Sequence, residues 1–166
     1  YCFQIKELFE GLKQIKNNNR QGEFYLTDVL QVLVEASKTV VRFQVSDAEE
    51  ITGINDRAAL CEVEAILRRR VIEHWWKEGV TIQDPASTII DTKSKLASDV
   101  VIEGNVRIEN STIESGVVIE SGNRILNSKI KKGAHIKQGS YIESSEIGSE
   151  SSVGPYAHLR PESVLA

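Results

Sequence analysis

The residues of this chain best suited to holding an anion are arginines. Three are consecutive, Arg68-Arg69-Arg70. A guanidinium offers a planar fork of donors that matches a phosphate dianion. For the triplet the stronger reading is a solvated helix face. The histidines are His74, His135 and His158; His74 reads as helix surface and His135 as surface of the repeat described next. Two cysteines, Cys2 and Cys61, are too few for a disulfide scaffold or a zinc site, and each is expected to be a buried hydrophobe.

The elements that must position these groups follow a ruler. Large aliphatics recur from Ile90 through Leu96, Ile102, Ile108 and Ile113 to Val153 and Leu159, at gaps of six or five residues. From Ile102 on, any three gaps sum to 17. A second ruler runs two residues earlier and holds small side chains such as Ser94, Ser111 and Ser128, with Asn123 the exception. Six-residue self-similarity is the mark of a hexapeptide β-helix, and neither a helical period nor simple strand alternation produces it. The expectation is a triangular prism of about four coils over 90–165. Aliphatics stack along the axis, as Ile108, Ile125, Ile142 and Leu159 would, and Glu, Lys, Arg, Asn and Ser face outward. The recurring five-residue gap predicts one tighter corner per coil. Glycines at 104, 116, 122, 133 and 139 fall where corners call for positive φ.

The first 56 residues follow other rules. Tyr1 to Phe3 reads as the end of a strand. Leu8, Phe9, Leu12 and Ile15 make a helical stripe that stops at Asn17. A second helix is expected over Leu26 to Ala36, and a β-branched strand over Val40 to Val45. The result is strand–helix–helix–strand, a piece of an α/β domain. Arg57 to Glu78 lacks Gly and Pro and reads as one long helix ended by Gly79, with Leu60, Val63, Leu67, Val71 and Trp75 on one stripe. Trp75 and Trp76 are expected to cover the open end of the prism or to pack on a neighbouring subunit.

Composition narrows the partners. The chain has 166 residues, a net charge of −4 and a pI near 5.5, so nucleic acid has no electrostatic support. No apolar run approaches the roughly 20 residues of a membrane span, and no signal peptide opens the chain. No membrane association is expected.

Four motifs then carry a resemblance. Asn17 to Asp28 (NNNRQGEFYLTD) is similar to the NNxQGExYxTD signature of sugar-nucleotide pyrophosphorylases. Gly53-Ile54-Asn55-Asp56-Arg57 resembles their GVNxR turn. Gly79 to Ala86 (GVTIQDPA) resembles the GVxxxDPA stretch that leads into a β-helix, and Gly154 to Pro161 (GPYAHLRP) resembles GPFAxLRPG. Together they identify the chain with the bifunctional N-acetylglucosamine-1-phosphate uridyltransferase/glucosamine-1-phosphate acetyltransferase family.

That resemblance implies a fold in three parts. Residues 1–56 would be the C-terminal piece of an α/β nucleotidyltransferase domain, 57–79 a linker helix, and 80–166 a left-handed parallel β-helix opening the acetyltransferase domain. It implies UTP, N-acetylglucosamine 1-phosphate, glucosamine 1-phosphate and acetyl-CoA as substrates, Mg²⁺ as cofactor, a homotrimer and a cytoplasmic location. Glu23, Tyr25 and Thr27 match positions lining the sugar-nucleotide pocket, Asn55 an asparagine that ligates Mg²⁺, and Arg160 an arginine holding the sugar phosphate during acetylation. Without the resemblance, Asn55 reads as a turn residue after Gly53 and Arg160 as an exposed corner charge.

The family's Gly-rich nucleotide-binding signature would precede Tyr1, and its general-base histidine would follow Ala166. The expectation is therefore the middle of a longer enzyme that by itself transfers neither group. Glu162 stands where the family has a glycine, which questions that corner. The competing enzyme reading is a related sugar-1-phosphate nucleotidyltransferase whose β-helix serves only oligomerisation. A non-enzymatic β-helix of the ice-binding kind would need an outward Thr ladder, and the outward positions here are mixed.

Overall fold

A computed structural model describes residues 1–166. The chain divides into two compact units, Tyr1–Ala48 and Glu49–Ala166.

The first unit is a pair of short helices, α1 (Ile5–Leu12) and α2 (Asp28–Glu35). They meet where Gly11 faces Val29. A Cβ on Gly11 would lie 2.8 Å from Val29 Cγ1, so only glycine allows this approach. Gly11, Val29 and Leu33 are the buried residues of the two helices. Lys38 Nζ pairs with Glu7 at 3.1 Å. The helix read as running towards Asn17 ends at Leu12, leaving Ile15 outside it. The two expected strands are absent: Tyr1–Phe3 and Val40–Val45 belong to no ladder and make no backbone hydrogen bond. A strand exists only through its ladder, and this unit supplies no partner.

The second unit begins with a 3₁₀ turn at Ala48–Ile51 and α3 (Arg57–Lys77). Asp56 caps α3 by accepting from the Ala59 amide at 2.8 Å. Gly79, at φ +86°, turns the chain out of the helix, and Val80 N–H returns to the Trp75 carbonyl at 3.0 Å. One residue later, Thr81 N–H bonds the Val100 carbonyl, so the helix passes directly into a ladder.

That ladder belongs to a left-handed parallel β-helix of five coils. One face holds strands at Thr81–Ile82, Val101–Ile102, Val118–Ile119, His135–Ile136 and Ser152–Val153. The second holds Ile89–Ile90, Arg107–Glu109, Arg124–Leu126, Tyr141–Glu143 and His158–Leu159. The third holds Lys95–Leu96, Thr112–Ile113, Lys129–Ile130, Glu146–Ile147 and Val164–Leu165. The register stacks Ile108 on Ile125 on Ile142 on Leu159. The anchors from Ile82 to Val153 are buried; Leu159 and Leu165 are half-buried. Each such aliphatic contributes roughly 1.5–3 kcal/mol.

The count is five coils rather than four because the ladder starts at Thr81, not at Ile90. Ile82 pairs with Ile102, twenty residues on, and its period is hidden by a loop at Asp84–Thr88. There Ser87 Oγ donates to Asp84 Oδ2 at 2.6 Å, and Thr88 Oγ1 donates to the Asp84 carbonyl at 2.8 Å.

The corners form three columns of left-handed residues. One runs Asp99, Gly116, Gly133, Glu150; another Asn105, Gly122, Gly139, Tyr156; the third holds the tight corners Asn110, Asn127 and Ser144 and then Glu162. Glycine is thus not obligatory, and in the Gly104 corner Asn105 takes the positive φ. Glu162 itself adopts φ +68°, in a corner one residue longer than those of Asn110, Asn127 and Ser144. Just after the tight corners, Ser111 and Ser128 each work twice. Ser128 Oγ donates to the Leu126 carbonyl at 2.7 Å and accepts from Ser145 N at 3.0 Å, one coil ahead.

Helix α3 covers the first coils through Ile72, with Val71 and Trp75 packed on the core. Trp75 thus does what was expected of it, while Trp76 is largely exposed. Ile72, the helix's one buried residue, lies off the predicted stripe, and Leu60 and Leu67 on that stripe face solvent. Both cysteines are free and exposed rather than buried. Cys2 lies in the unpaired first segment. Cys61 lies eleven residues before Ile72, roughly 16 Å along the axis from the covered part of α3. No helix is long and apolar enough to cross a membrane.

Candidate functional site

Arg160 follows the last strand of the second face. Its carbonyl is pinned, accepting from Ser145 Oγ at 3.0 Å and Ser163 Oγ at 2.7 Å. Its guanidinium is exposed and makes no hydrogen bond or ion pair. A fixed backbone carrying a free fork is a fit arrangement for receiving an oxyanion. Below it, the outward positions of the same face align Arg107, Arg124, Tyr141 and His158 in one column. Arg124 stacks over the Tyr141 ring at 5.8 Å, and His158 meets that ring edge-on at 5.2 Å. Arg107 is paired with Glu109. This column was not singled out from sequence, although the 17-residue spacing contains it.

The Arg68–Arg70 triplet is not an anion site. Arg68 pairs with Glu64 at 3.1 Å, Arg69 with Glu49 at 2.5 Å, and Arg70 with Glu49 at 2.9 Å. Hydrogen bonds from Arg70 and then Arg69 hold the Glu49 carboxyl below its ordinary pKa. Glu49 lies outside the helix and was missed, since its sequence distance carries no periodic signal. His135 Nε2 lies 2.8 Å from Glu120 Oε1 on the β-helix surface.

Glu23, Tyr25 and Thr27 share one loop of the first unit. Asn19 Oδ1 braces it, accepting from Gln21 N and Glu23 N at 3.1 Å each. The Tyr25 hydroxyl donates to Gln21 Oε1. The Glu23 and Thr27 side chains are exposed and Tyr25 is half-buried. Asn55 belongs to the other unit, exposed beside the Asp56 cap. Its amide oxygen is chemically suited to a hard cation such as Mg²⁺. However, no group of three or more His, Cys, Asp or Glu side chains in the chain is gathered to hold a metal ion. Asn55 thus supplies at most one ligand, and no reaction step is built on it.

A coil of three short parallel strands, an inward aliphatic in each and a left-handed residue at each corner define a hexapeptide-repeat β-helix protein. The family described as the GMPPB C-terminal domain matches residues 77–166, and the chain belongs to it. Over nearly its whole length the chain is also similar to curated proteins named "Bifunctional protein GlmU". It is 42% identical to that of Listeria monocytogenes serotype 4a (strain HCC23) over 163 residues, 98% of this chain. It is 42% identical to that of Limosilactobacillus reuteri (strain DSM 20016) over 165 residues, and 40% identical to that of Geobacillus sp. (strain WCH70). The chain spans 36% of the length of each of these relatives.

Proposed function

We propose that this chain is part of a bifunctional cytoplasmic transferase of UDP-N-acetylglucosamine biosynthesis. Residues 1–56 belong to its nucleotidyltransferase domain, 57–79 are its linker helix, and 80–166 open its acetyltransferase domain. The observation that carries this reading is the 40–42% identity to bifunctional relatives across 98–99% of the chain. In the first half-reaction the amine of glucosamine 1-phosphate attacks the thioester carbonyl of acetyl-CoA. The C–S bond breaks, coenzyme A leaves and the nitrogen gives up a proton. Arg160 holds the sugar phosphate through its fork, which supports the reaction by positioning. In the second, the phosphate of N-acetylglucosamine 1-phosphate attacks the α-phosphorus of UTP and pyrophosphate leaves. Glu23, Tyr25 and Thr27 line the sugar pocket. Mg²⁺, with Asn55 as one oxygen ligand, supplies charge neutralisation on the phosphates when bound. The flat faces of the prism support assembly as a homotrimer.

A second reading has its own observation. The matching family description names GMPPB, not the bifunctional relatives. A sugar-1-phosphate nucleotidyltransferase with a purely architectural β-helix would fit that description. Both half-reactions, assayed on the polypeptide that carries this chain in the cell, separate the two. Under the first reading Arg160→Ala lowers acetyl transfer by about a hundredfold or more and Arg160→Lys rescues poorly, because an ammonium cannot bind bidentately. Uridylyl transfer stays within about twofold. Absence of acetyl transfer from the unsubstituted protein selects the second reading.

A further inference from the structure

The strand that leads to Arg160 carries a second free donor. His158 and Arg160 are two residues apart and exposed, with Leu159 between them turned to the core. Successive side chains of a strand alternate sides, so positions i and i+2 share a face about 6.5–7 Å apart. The His158 ring, like the Arg160 guanidinium, makes no hydrogen bond or ion pair within the chain. Its orientation is nevertheless set. It meets the Tyr141 ring at 90° and 5.2 Å, and Arg124 lies over Tyr141 from the coil below. The backbone that enters this strand is fixed to the preceding coil. Tyr156 N–H donates to the Gln138 carbonyl at 2.9 Å, and Ala157 N–H donates to Ser140 Oγ at 3.2 Å. The Tyr156 ring covers Gly139 so closely that a Cβ there would lie 2.5 Å from Tyr156 Cδ1. The far end is held by Ser145 and Ser163 on the Arg160 carbonyl.

We propose that His158 and Arg160 form one oxyanion site, in which an imidazole N–H and the guanidinium fork take different oxygens of the same phosphate monoester. The identity of that monoester, glucosamine 1-phosphate, rests on the transferase reading; the site itself does not. A phosphate monoester has three terminal oxygens, and a bidentate guanidinium occupies two of them. The third needs a separate donor, and His158 offers one on the same face of the same pinned strand. The groups around it are compatible with an anion. Tyr141 lies beneath the ring and Arg124 one coil lower. The nearest carboxylates are Glu143, one step past the Ile142–Leu159 pair and 3.5 Å from the Tyr141 hydroxyl, and Glu162 in the corner that follows. Arg160 stands between them. An imidazole gains its charge near neutrality, and an opposite charge within about 4–6 Å favours the protonated form. A phosphate seated in the Arg160 fork therefore raises the titration midpoint of His158, and protonated His158 in turn tightens the phosphate.

The test uses the polypeptide that carries this chain in the cell, with inorganic phosphate and glucosamine 1-phosphate as probes. Imidazole titrations are followed by nuclear magnetic resonance, and the His158 signal is assigned by its loss in His158→Gln. The expected result is a His158 midpoint raised by about half a pH unit or more with either probe. His74 and His135 should not move. Arg160→Ala should abolish the rise at probe concentrations that saturate the unsubstituted protein. In acetyl transfer, His158→Gln should raise the KM for glucosamine 1-phosphate about fivefold or more, with kcat and the KM for acetyl-CoA within about twofold. A His158 midpoint indifferent to both probes overturns the proposal, even where Arg160→Ala abolishes acetyl transfer and so upholds the transferase reading. A rise that survives Arg160→Ala overturns it too, because the two side chains would then not share one anion. A rise with inorganic phosphate in a protein without acetyl transfer does the reverse: the site stands and its ligand is another phosphate monoester.

Discussion

The β-helix and the first 48 residues bury apolar surface in opposite ways. In the β-helix each coil repeats the last, so an aliphatic placed once per face finds its equivalent directly above it. Ile102, Ile108, Ile119, Ile125 and Ile136 are all fully buried. In the first unit two short helices cross at one glycine, and Tyr1, Val41 and Phe43 remain outside any core. Repetition lets short local segments build a core from nearest-neighbour contacts. A non-repeating α/β segment depends on partners distant in sequence. Apolar content alone therefore does not decide closure: the first 48 residues are no poorer in apolar side chains than the β-helix, yet Tyr1, Val41 and Phe43 stay exposed.

The largest test of this contrast is a carboxylate placed in each region. Ile125→Asp puts an unpaired charge on the prism axis and should cost on the order of 4–5 kcal/mol, enough to unfold the β-helix. Phe43→Asp replaces an exposed ring and should change stability by no more than about 0.5 kcal/mol. Denaturant titrations that follow the two units separately give both numbers. Comparable losses would mean that Phe43 belongs to a core after all.

How far the sequence discloses these regions follows from the same difference. The anchors, the small-residue column and the tight corner are legible because each is a local signal repeated at a fixed interval. The first coil escaped because the Asp84–Thr88 loop adds residues before the interval settles at 17. Val40–Val45 has the composition of a strand, but pairing is a non-local fact that composition cannot contain. The Glu49 pairing with Arg69 and Arg70 bridges about twenty residues without any period. Of the candidate site residues, only the outward position of Arg160 follows from the ruler; that its fork is unpaired is seen in the structure alone. The roles of Glu23, Tyr25, Thr27 and Asn55 rest on resemblance alone, because loop residues carry no periodicity.

A middle-sized effect concerns Asn123, the one large residue in a small-residue column. Its Nδ2 donates to the carbonyls of Glu120 at 2.8 Å and Ile136 at 3.2 Å, and its Oδ1 accepts from Ser140 N at 2.7 Å. One coil on, Ser140 Oγ does nearly the same, donating to Lys137 O and accepting from Ala157 N. Asn123→Ala should cost about 1–3 kcal/mol by leaving buried backbone groups unpaired. Asn123→Ser should recover much of that loss, because serine already performs this task in the next coil. An alanine variant as stable as the serine variant, by thermal unfolding, would show that the column is set by size alone.

The smallest effect, and the one that locates the contrast most finely, is acid sensitivity. Four carboxylates of the β-helix each reach one coil ahead to accept a corner amide. Asp91 takes Asn110 N at 3.1 Å, Glu103 takes Ser121 N at 2.9 Å, Glu114 takes Lys132 N at 3.0 Å and Glu120 takes Gln138 N at 2.8 Å. Two of them are held below their ordinary pKa. For Asp91 burial acts upward but is outweighed by the Ser94 hydroxyl and the Asn110, Ser94 and Lys93 amides. For Glu120 the Gln138 amide acts first, against burial, with His135 and Lys137 adding to it. A depressed carboxyl contributes stability that is fully present above its unfolded value, near 3.9 for Asp and 4.3 for Glu. That contribution is lost as pH falls through the lower folded value. Stability should therefore be flat in this respect from pH 7 to 5 and decline below about pH 4. Asp91→Asn with Glu120→Gln should shrink that acid step while changing little at pH 7, since an amide oxygen can still accept. Hydrogen exchange should show the Asn110 and Gln138 amides opening first in acid, ahead of the strand amides between them. An acid step of unchanged size in the double variant would place its origin outside these corner caps.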